Sequence, residues 1–112
     1  MKPGLLLLTL SLAALPAAAD PTPPPRAEIP FANHGGIYDW RAEGTGSIIV
    51  ESQNHHFYRA TLMEPCFDLP FRDRVGFVLD ARDVLDKFQA VRAGHQVCQF
   101  TSFDEIPKPD KW

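Results

Sequence analysis

The feature that most constrains the fold is the alternation of apolar and polar residues in short runs separated by glycine, proline and polar turns. In the run 57–62, Tyr58, Ala60 and Leu62 share one face of an extended chain. The preceding run 47–52, SIIVES, is rich in β-branched residues, and a polar Gln-Asn pair separates the two runs. Such runs predict half-buried antiparallel strands, and two of them around a short turn predict a β-hairpin.

Further short runs extend this pattern along the chain. The segment 37–42, IYDWRA, predicts a strand with Tyr38, Trp40 and Ala42 on one face, and VGFVL at 75–79 predicts another. Short strands with glycine and proline between them indicate a mainly β fold, a small antiparallel barrel or sandwich. We expect its core to include Trp40, Ile48, Val50, Tyr58, Leu62, Phe77 and Val97.

The segment after Asp80 supports two interpretations. Asp80 as an N-cap, spaced apolar residues and Gly94 as a C-cap are signals of a helix over 81–93. The same segment also alternates on both sides of AGHQ, which predicts a hairpin instead. We favour one short helical turn from Asp83 to Lys87, followed by a hairpin from Phe88 to Phe103.

The N-terminus predicts export. A lysine at position 2 precedes an apolar run from Leu5 to Leu15, and small residues at Ala17 and Ala19 stand before Asp20. This is the arrangement of a secretory signal peptide, and the run is too short to cross about 30 Å of hydrocarbon comfortably. We expect cleavage after Ala19, no membrane span after cleavage, and a periplasmic or secreted protein.

The rest of the chain divides into three parts. Residues 20–30 hold five prolines, so they predict an extended linker. Residues 31–106 form one small β domain, and residues 107–112 a polar tail. Without its signal peptide the chain keeps 10 basic and 14 acidic residues with no basic cluster, so nucleic acid is not an expected partner.

The chain has two cysteines, Cys66 and Cys98. In an oxidising compartment such a pair indicates a disulfide, and only one intramolecular pairing exists. Their spacing is not that of a C-x-x-C redox motif. A nucleophilic role would need a free thiolate and a nearby base, and the closeness of His95 to Cys98 in sequence does not establish one.

Metal binding is the alternative chemistry that the histidines raise. The candidate ligands are His34, His55, His56 and His95. No H-x-H or H-E-x-x-H spacing occurs, and adjacent residues on a strand point to opposite faces. We therefore predict no metal site and no cofactor, and keep these histidines as the candidates for a metal-binding alternative.

No pattern in the chain is typical of an enzyme. The carboxylates among residues 80–86 are interleaved with basic residues, as on a solvated surface, and no nucleophile elbow or phosphate-binding loop occurs. The aromatic residues are more informative. Phe57, Phe67 and Phe71 are candidates for an exposed binding surface beside the disulfide, since large exposed apolar patches mark interaction sites.

Several stretches resemble one protein family. They are IPFANHGGIYDWRAEG, FYRATLMEPCFDLPF and VGFVLDARDVLDKFQAVRAGHQVC, the last followed by SF. With the leucine–cysteine–leucine spacing of Leu62, Cys66 and Leu69, they resemble an uncharacterised group of small exported proteobacterial proteins, domain-of-unknown-function family 6491. The resemblance covers about 29–103. It implies both cysteines, which strengthens the disulfide prediction, and a Gram-negative host, which makes the periplasm the expected destination. It implies no activity.

These observations predict a small, disulfide-linked β domain with a non-enzymatic binding or structural role in the cell envelope. A chain of 93 residues leaves little room for a deep pocket, so we expect an envelope protein as the partner rather than a small molecule. The alternative is a periplasmic metal-binding module that uses the surface histidines.

Overall fold

Eight strands form the framework of the part of the chain that the computed structural model describes, residues 26–112. In chain order the strands are β1 (Ile29–Pro30), β2 (Ile37–Glu43), β3 (Ser47–Ser52), β4 (Phe57–Leu62), β5 (Gly76–Val78), β6 (Val84–Leu85), β7 (Ala90–Ala93) and β8 (Gln96–Ile106).

Six of these strands form one antiparallel sheet in the order β2-β3-β4-β8-β7-β5, and β1 pairs with β6 in a separate two-stranded ladder. The large sheet curves into a half-barrel. Its chain neighbours are mostly sheet neighbours, as expected where short turns connect antiparallel strands. The predicted fold class, mainly β with antiparallel strands and one disulfide, is confirmed.

Both predicted hairpins are present. Strands β3 and β4 pair with Val50 opposite Tyr58 and Ile48 opposite Ala60, around the polar turn at 53–54. Strands β7 and β8 pair around the turn at Gly94 and His95.

The core lies on the concave face of the sheet. Four predicted core residues are buried there: Ile48, Val50, Tyr58 and Leu62. Trp40 and Phe77 are partly buried against them. The prediction for Val97 was wrong, since its side chain is 50% exposed. Cys98 and Phe100 of β8 are buried on the core side of the sheet. Val97 directly precedes Cys98, so its side chain points to the opposite face.

Tyr38 was also misplaced. It was expected on the face of Trp40 and Ala42, but it is exposed. A register shift between Ile37 and Asp39 in the β2–β3 pairing interrupts the alternation at this point. Such a bulge sends the residues before it to the other face of the sheet.

The predicted helical turn at Asp83–Lys87 was wrong. The Asp80 carboxylate does accept the Arg82 backbone N–H, but this bond closes a turn and no helix follows, since the chain takes a φ of 59° at Asp83. Val84 and Leu85 then pair with Pro30 and Ile29 as a strand. The structure instead has a 3-10 turn earlier in the chain, at Leu69–Phe71.

The disulfide joins Cys66 to Cys98, as predicted. Cys66 follows β4 in an irregular loop, and its backbone N–H donates to the carbonyl of Thr45. Cys98 lies in β8, and both cysteines are in the core cluster. The bond therefore ties the loop after β4 to the centre of the sheet.

Residues near both ends of the described range pack against the domain. Ile29, assigned to the linker, is almost completely buried and forms β1, while Trp112, assigned to the polar tail, packs back on the sheet. The predicted signal peptide and most of the linker lie outside the described residues. Between residues 26 and 112, no helix is long and apolar enough to cross a membrane.

Candidate functional site

The structure separates the histidines rather than gathering them. His34 lies against Asp83 (Nδ1–Oδ2 2.5 Å), His55 against Glu51 (2.7 Å) and His56 against Glu105 (3.2 Å). His95 is exposed at the tip of the β7–β8 hairpin. Across residues 26–112, no three histidine, cysteine or acidic side chains are grouped closely enough to hold a metal ion.

One of these pairs borders a cavity. The turn Ala32–Gly36 and the turn after β3 border an open depression with a volume of about 330 Å³, which we call the His34 pocket. Its walls include Pro30, Phe31, His34, Gly36, Ser52 and Asn54. The two turns are held together by a hydrogen bond from the Gln53 backbone N–H to the Gly36 carbonyl (3.0 Å).

Asp83 fixes the position of His34. Its carboxylate accepts the Asn33 backbone N–H (2.9 Å) as well as contacting the His34 ring, and its own carbonyl accepts the Ala32 N–H (3.0 Å). The pKa of the Asp83 carboxyl is lowered, first by the Asn33 hydrogen bond and then by that of His34. The carboxylate is therefore ionised at neutral pH and holds Nδ1 of the imidazole as its donor.

The backbone on both sides of this contact is left-handed. Phe31 has a φ of 56°, in a region that bulky residues avoid, and Asp83 has a φ of 59°, which aspartate adopts more readily. The Phe31 carbonyl accepts the backbone N–H groups of His34 (2.9 Å) and Gly36 (2.7 Å), which closes the turn. Gly36 has no room for a Cβ, because one would collide with the Pro30 carbonyl. Strained, closely packed backbone of this kind is concentrated at functional sites in proteins.

The pocket does not contain a catalytic triad of the serine hydrolase type. Ser52 lines it, but its hydroxyl donates to the Asn54 side chain and accepts the His56 backbone N–H (3.2 Å). Within the described chain no hydrogen bond joins Ser52 to His34. The His34–Asp83 pair therefore has an orienting acid but lacks the nucleophile that acyl transfer requires.

The second cluster lies on the convex face and involves the tail. The Trp112 ring packs edge-on against Phe57 (centroids 5.1 Å apart), and Arg41 stacks over it at 4.3 Å. The Trp112 Nε1–H donates a hydrogen bond to the Glu51 carboxylate (2.8 Å), which also accepts a hydrogen bond from His55. Phe57 is only 4% exposed under this cover, so it does not belong to the predicted exposed aromatic surface.

The other two phenylalanines of that surface are exposed. Phe67 is 67% and Phe71 84% exposed, and Met63 in the same loop is also exposed. We call residues 63–71 the disulfide loop. Gln96 fixes it from β8, since its side chain accepts the Phe67 N–H (3.1 Å) and donates to the Pro65 carbonyl (3.1 Å).

The partners of the histidines and of Trp112 were not predicted from the sequence. Asp83 lies 49 residues from His34, and Glu51 lies 61 residues from Trp112. No local pattern carries such pairings. The conspicuous Gly35–Gly36 pair beside His34 was the one available signal, because adjacent glycines indicate a tight turn.

The fold and these sites define a small antiparallel β domain with one internal disulfide, two turns around a pocket and an exposed aromatic loop. The chain belongs to the family of unknown function DUF6491, whose model matches residues 1–111. The resemblance noted in the sequence is thus confirmed at the level of the family. The chain has no match among curated proteins and none among solved structures.

Proposed function

We propose that this protein is a non-enzymatic binding module of the bacterial cell envelope, and that it binds a protein partner through the disulfide loop. The observation that carries the proposal is the exposure of Phe67 and Phe71 on a loop that is fixed at both ends. Large aromatic side chains in water are costly, and they are enriched among the residues that supply binding energy at interfaces.

The loop is held in position before any partner arrives. Cys66 is bonded to Cys98, Gln96 bridges two backbone groups of the loop, and the 3-10 turn Leu69–Phe71 anchors its end through buried Leu69. A preorganised loop loses little conformational entropy on binding, so its aromatic side chains can contribute more of their burial free energy to affinity.

Export to the periplasm is part of this proposal. An internal disulfide is compatible with an oxidising compartment, and the leader sequence of residues 1–19 has the composition of a signal peptide. The metal-binding alternative has less support, because His34, His55 and His56 each contact a different carboxylate, and no three such side chains among residues 26–112 are grouped to hold a metal ion.

Site-specific photocrosslinking tests the proposal. A photoreactive phenylalanine analogue at position 71 should give a discrete adduct with another protein when the chain is expressed in its native host. The matched control is the same analogue at Phe88, which is 57% exposed but lies outside the disulfide loop. Phe67→Ser should reduce the adduct formed from position 71, since it removes the adjacent aromatic anchor.

Two results would contradict the proposal. One is no adduct from position 71 although the variant folds with its disulfide intact. The other is the same set of adducts from positions 71 and 88, since that would reflect general exposure rather than a binding surface.

A further inference from the structure

The His34 pocket is small and has an apolar side. Its volume of about 330 Å³ is at the low end of the range of about 300–1,000 Å³ in which small-molecule sites are found, which fits a ligand of a single ring. Pro30 and Phe31 form the apolar wall, and the glycine backbone at 35–36 also lines the pocket. This cavity is separate from the disulfide loop, so a ligand bound here requires no partner at that loop.

One side chain in the pocket is oriented to accept a hydrogen bond. In the neutral form of the His34 ring, the contact of the Asp83 carboxylate with Nδ1 places the hydrogen there and leaves a lone pair at Nε2. No hydrogen bond among residues 26–112 occupies Nε2, and the side chain is largely exposed. A carboxylate contact of this kind fixes both the tautomer and the orientation of an imidazole ring.

Two neighbouring polar atoms are already engaged. The Ser52 hydroxyl and the Asn54 side-chain oxygen hydrogen-bond to each other, and the Ser52 hydroxyl also accepts the His56 backbone N–H. The Gln53 side chain also lines the pocket, which therefore combines an apolar wall with an oriented acceptor at His34 and the polar side chains of Gln53 and Asn54.

We propose that the His34 pocket binds a phenol, with the aromatic ring against Pro30 and Phe31 and the hydroxyl donating a hydrogen bond to His34 Nε2. The ring would use the apolar wall of the pocket, and the hydroxyl would use the His34 acceptor. The closed turn at Phe31 keeps this wall in place before binding, so the site is formed in the free protein.

A titration of the disulfide-bonded protein with phenol, followed by two-dimensional NMR, tests the proposal. Amide signals of Phe31, His34 and Gly36 should shift and saturate together. Anisole, which has the same ring but cannot donate a hydrogen bond, should bind about threefold to tenfold more weakly, the ratio expected for one hydrogen bond.

Variants separate the hydrogen bond from simple packing. His34→Leu should weaken phenol binding about threefold to tenfold and remove the difference between phenol and anisole, while His34→Gln, which retains an acceptor, should keep part of that difference. His95→Leu, at an exposed histidine outside the pocket, should change neither. N-acetyl-tyrosinamide distinguishes the source of the phenol: tighter binding than phenol indicates a tyrosine of a peptide, and weaker binding indicates a free small molecule.

Three results would overturn the proposal: no saturable shift at the pocket residues, equal affinities for phenol and anisole, or unchanged selectivity in a folded His34→Leu variant. Each of these would leave the disulfide loop and its proposed partner unaffected.

Discussion

Phe31 and Phe67 are an instructive pair at the scale of single residues. Their side chains are exposed to nearly the same extent, 68% and 67%, yet only Phe31 has a left-handed backbone. A bulky residue in that region costs about 1–2 kcal/mol relative to glycine. Phe31→Gly should therefore destabilise the protein less than Phe67→Gly by about 1 kcal/mol, as measured by urea unfolding.

The comparison is informative because both changes remove the same side chain and give the unfolded chain the same extra freedom. A Phe31→Gly variant that is equally or more destabilised than Phe67→Gly would show that the Phe31 ring contributes packing that offsets its strain. Phe31→Ala is the second control, since it removes the ring but keeps the strained Cβ.

Glu51 should make stability depend on pH in the acid range. Its carboxylate accepts from His55 and Trp112, and the pKa of Glu51 is lowered, chiefly by the His55 hydrogen bond. A carboxyl whose pKa is lower in the folded state stabilises that state above the unfolded pKa, which is about 4.3. This contribution is lost as pH falls through the folded value. The difference in unfolding free energy between wild type and Glu51→Gln should therefore shrink as pH falls below about 4.3.

Urea unfolding at several pH values measures this difference. Glu64→Gln is the control, because Glu64 is exposed and forms no hydrogen bond or ion pair among the described residues. Its difference from wild type should stay small at every pH. A gap for Glu51→Gln that is the same at both ends of the pH range would contradict the assignment.

At the scale of strands and turns, the sequence predicted what local pattern determines. The residue pattern of Ser47–Ser52 and Phe57–Leu62 was sufficient to predict that they pair as a hairpin, because the inward positions carry apolar side chains. The prediction of a helical turn from Asp83 to Lys87 was wrong because a long-range contact determines the structure there. The helix signals of this segment are real, but pairing of Leu85 with Ile29, far earlier in the chain, overrides local preference.

The candidate sites were less predictable than the strands. Phe67 and Phe71 could be predicted as surface candidates, because they lie in a proline-rich, irregular segment beside Cys66. Phe57 could not be excluded from that surface, because the residue that covers it, Trp112, is at the far end of the chain. The His34 pocket likewise depends on Asp83, which a distant segment of chain brings to the turn.

The tail is the element whose contribution is most directly testable. Trp112 packs against Phe57 and under Arg41, and the Arg41 guanidinium also donates to the Lys111 carbonyl (2.9 Å). An edge-on aromatic pair and a cation–π contact are together worth about 1–2 kcal/mol. Trp112→Ala should lower the unfolding free energy by about that amount, as determined by urea denaturation.

Trp112→Phe is the matched control, because it keeps an aromatic ring over Phe57 but removes the N–H that Glu51 accepts. It should lie between wild type and Trp112→Ala. If all three proteins unfold at the same urea concentration, the tail contributes nothing to the stability of the folded protein.

At the scale of the whole molecule, we expect the disulfide to supply a large part of the stability of the half-barrel. A domain of this size buries a modest share of its surface, and β1 and β6 are only two residues each. The disulfide closes a loop of about 33 residues, for which chain entropy predicts a stabilisation of about 3–4 kcal/mol. The double variant Cys66→Ala/Cys98→Ala should lose about that much unfolding free energy.

A reducing agent provides the control for the disulfide. It should destabilise the wild-type protein by a similar amount and leave the double variant unchanged, since only the wild type has a bond to reduce. Equal stability of oxidised and reduced wild type would show that packing alone maintains the fold.

The disulfide and the predicted signal peptide together lead to one prediction about the intact molecule. A cysteine pair that stabilises the fold forms only where the chain meets an oxidising compartment, so export and folding should be coupled. Protein recovered from the periplasm should have the mass of a chain that begins at Asp20, and it should take up two alkyl groups only after reduction. Leucine at both Ala17 and Ala19 should retain the leader, because cleavage requires small residues there. A recovered chain that still begins at Met1, or that alkylates fully without reduction, would contradict both export and the role of the disulfide.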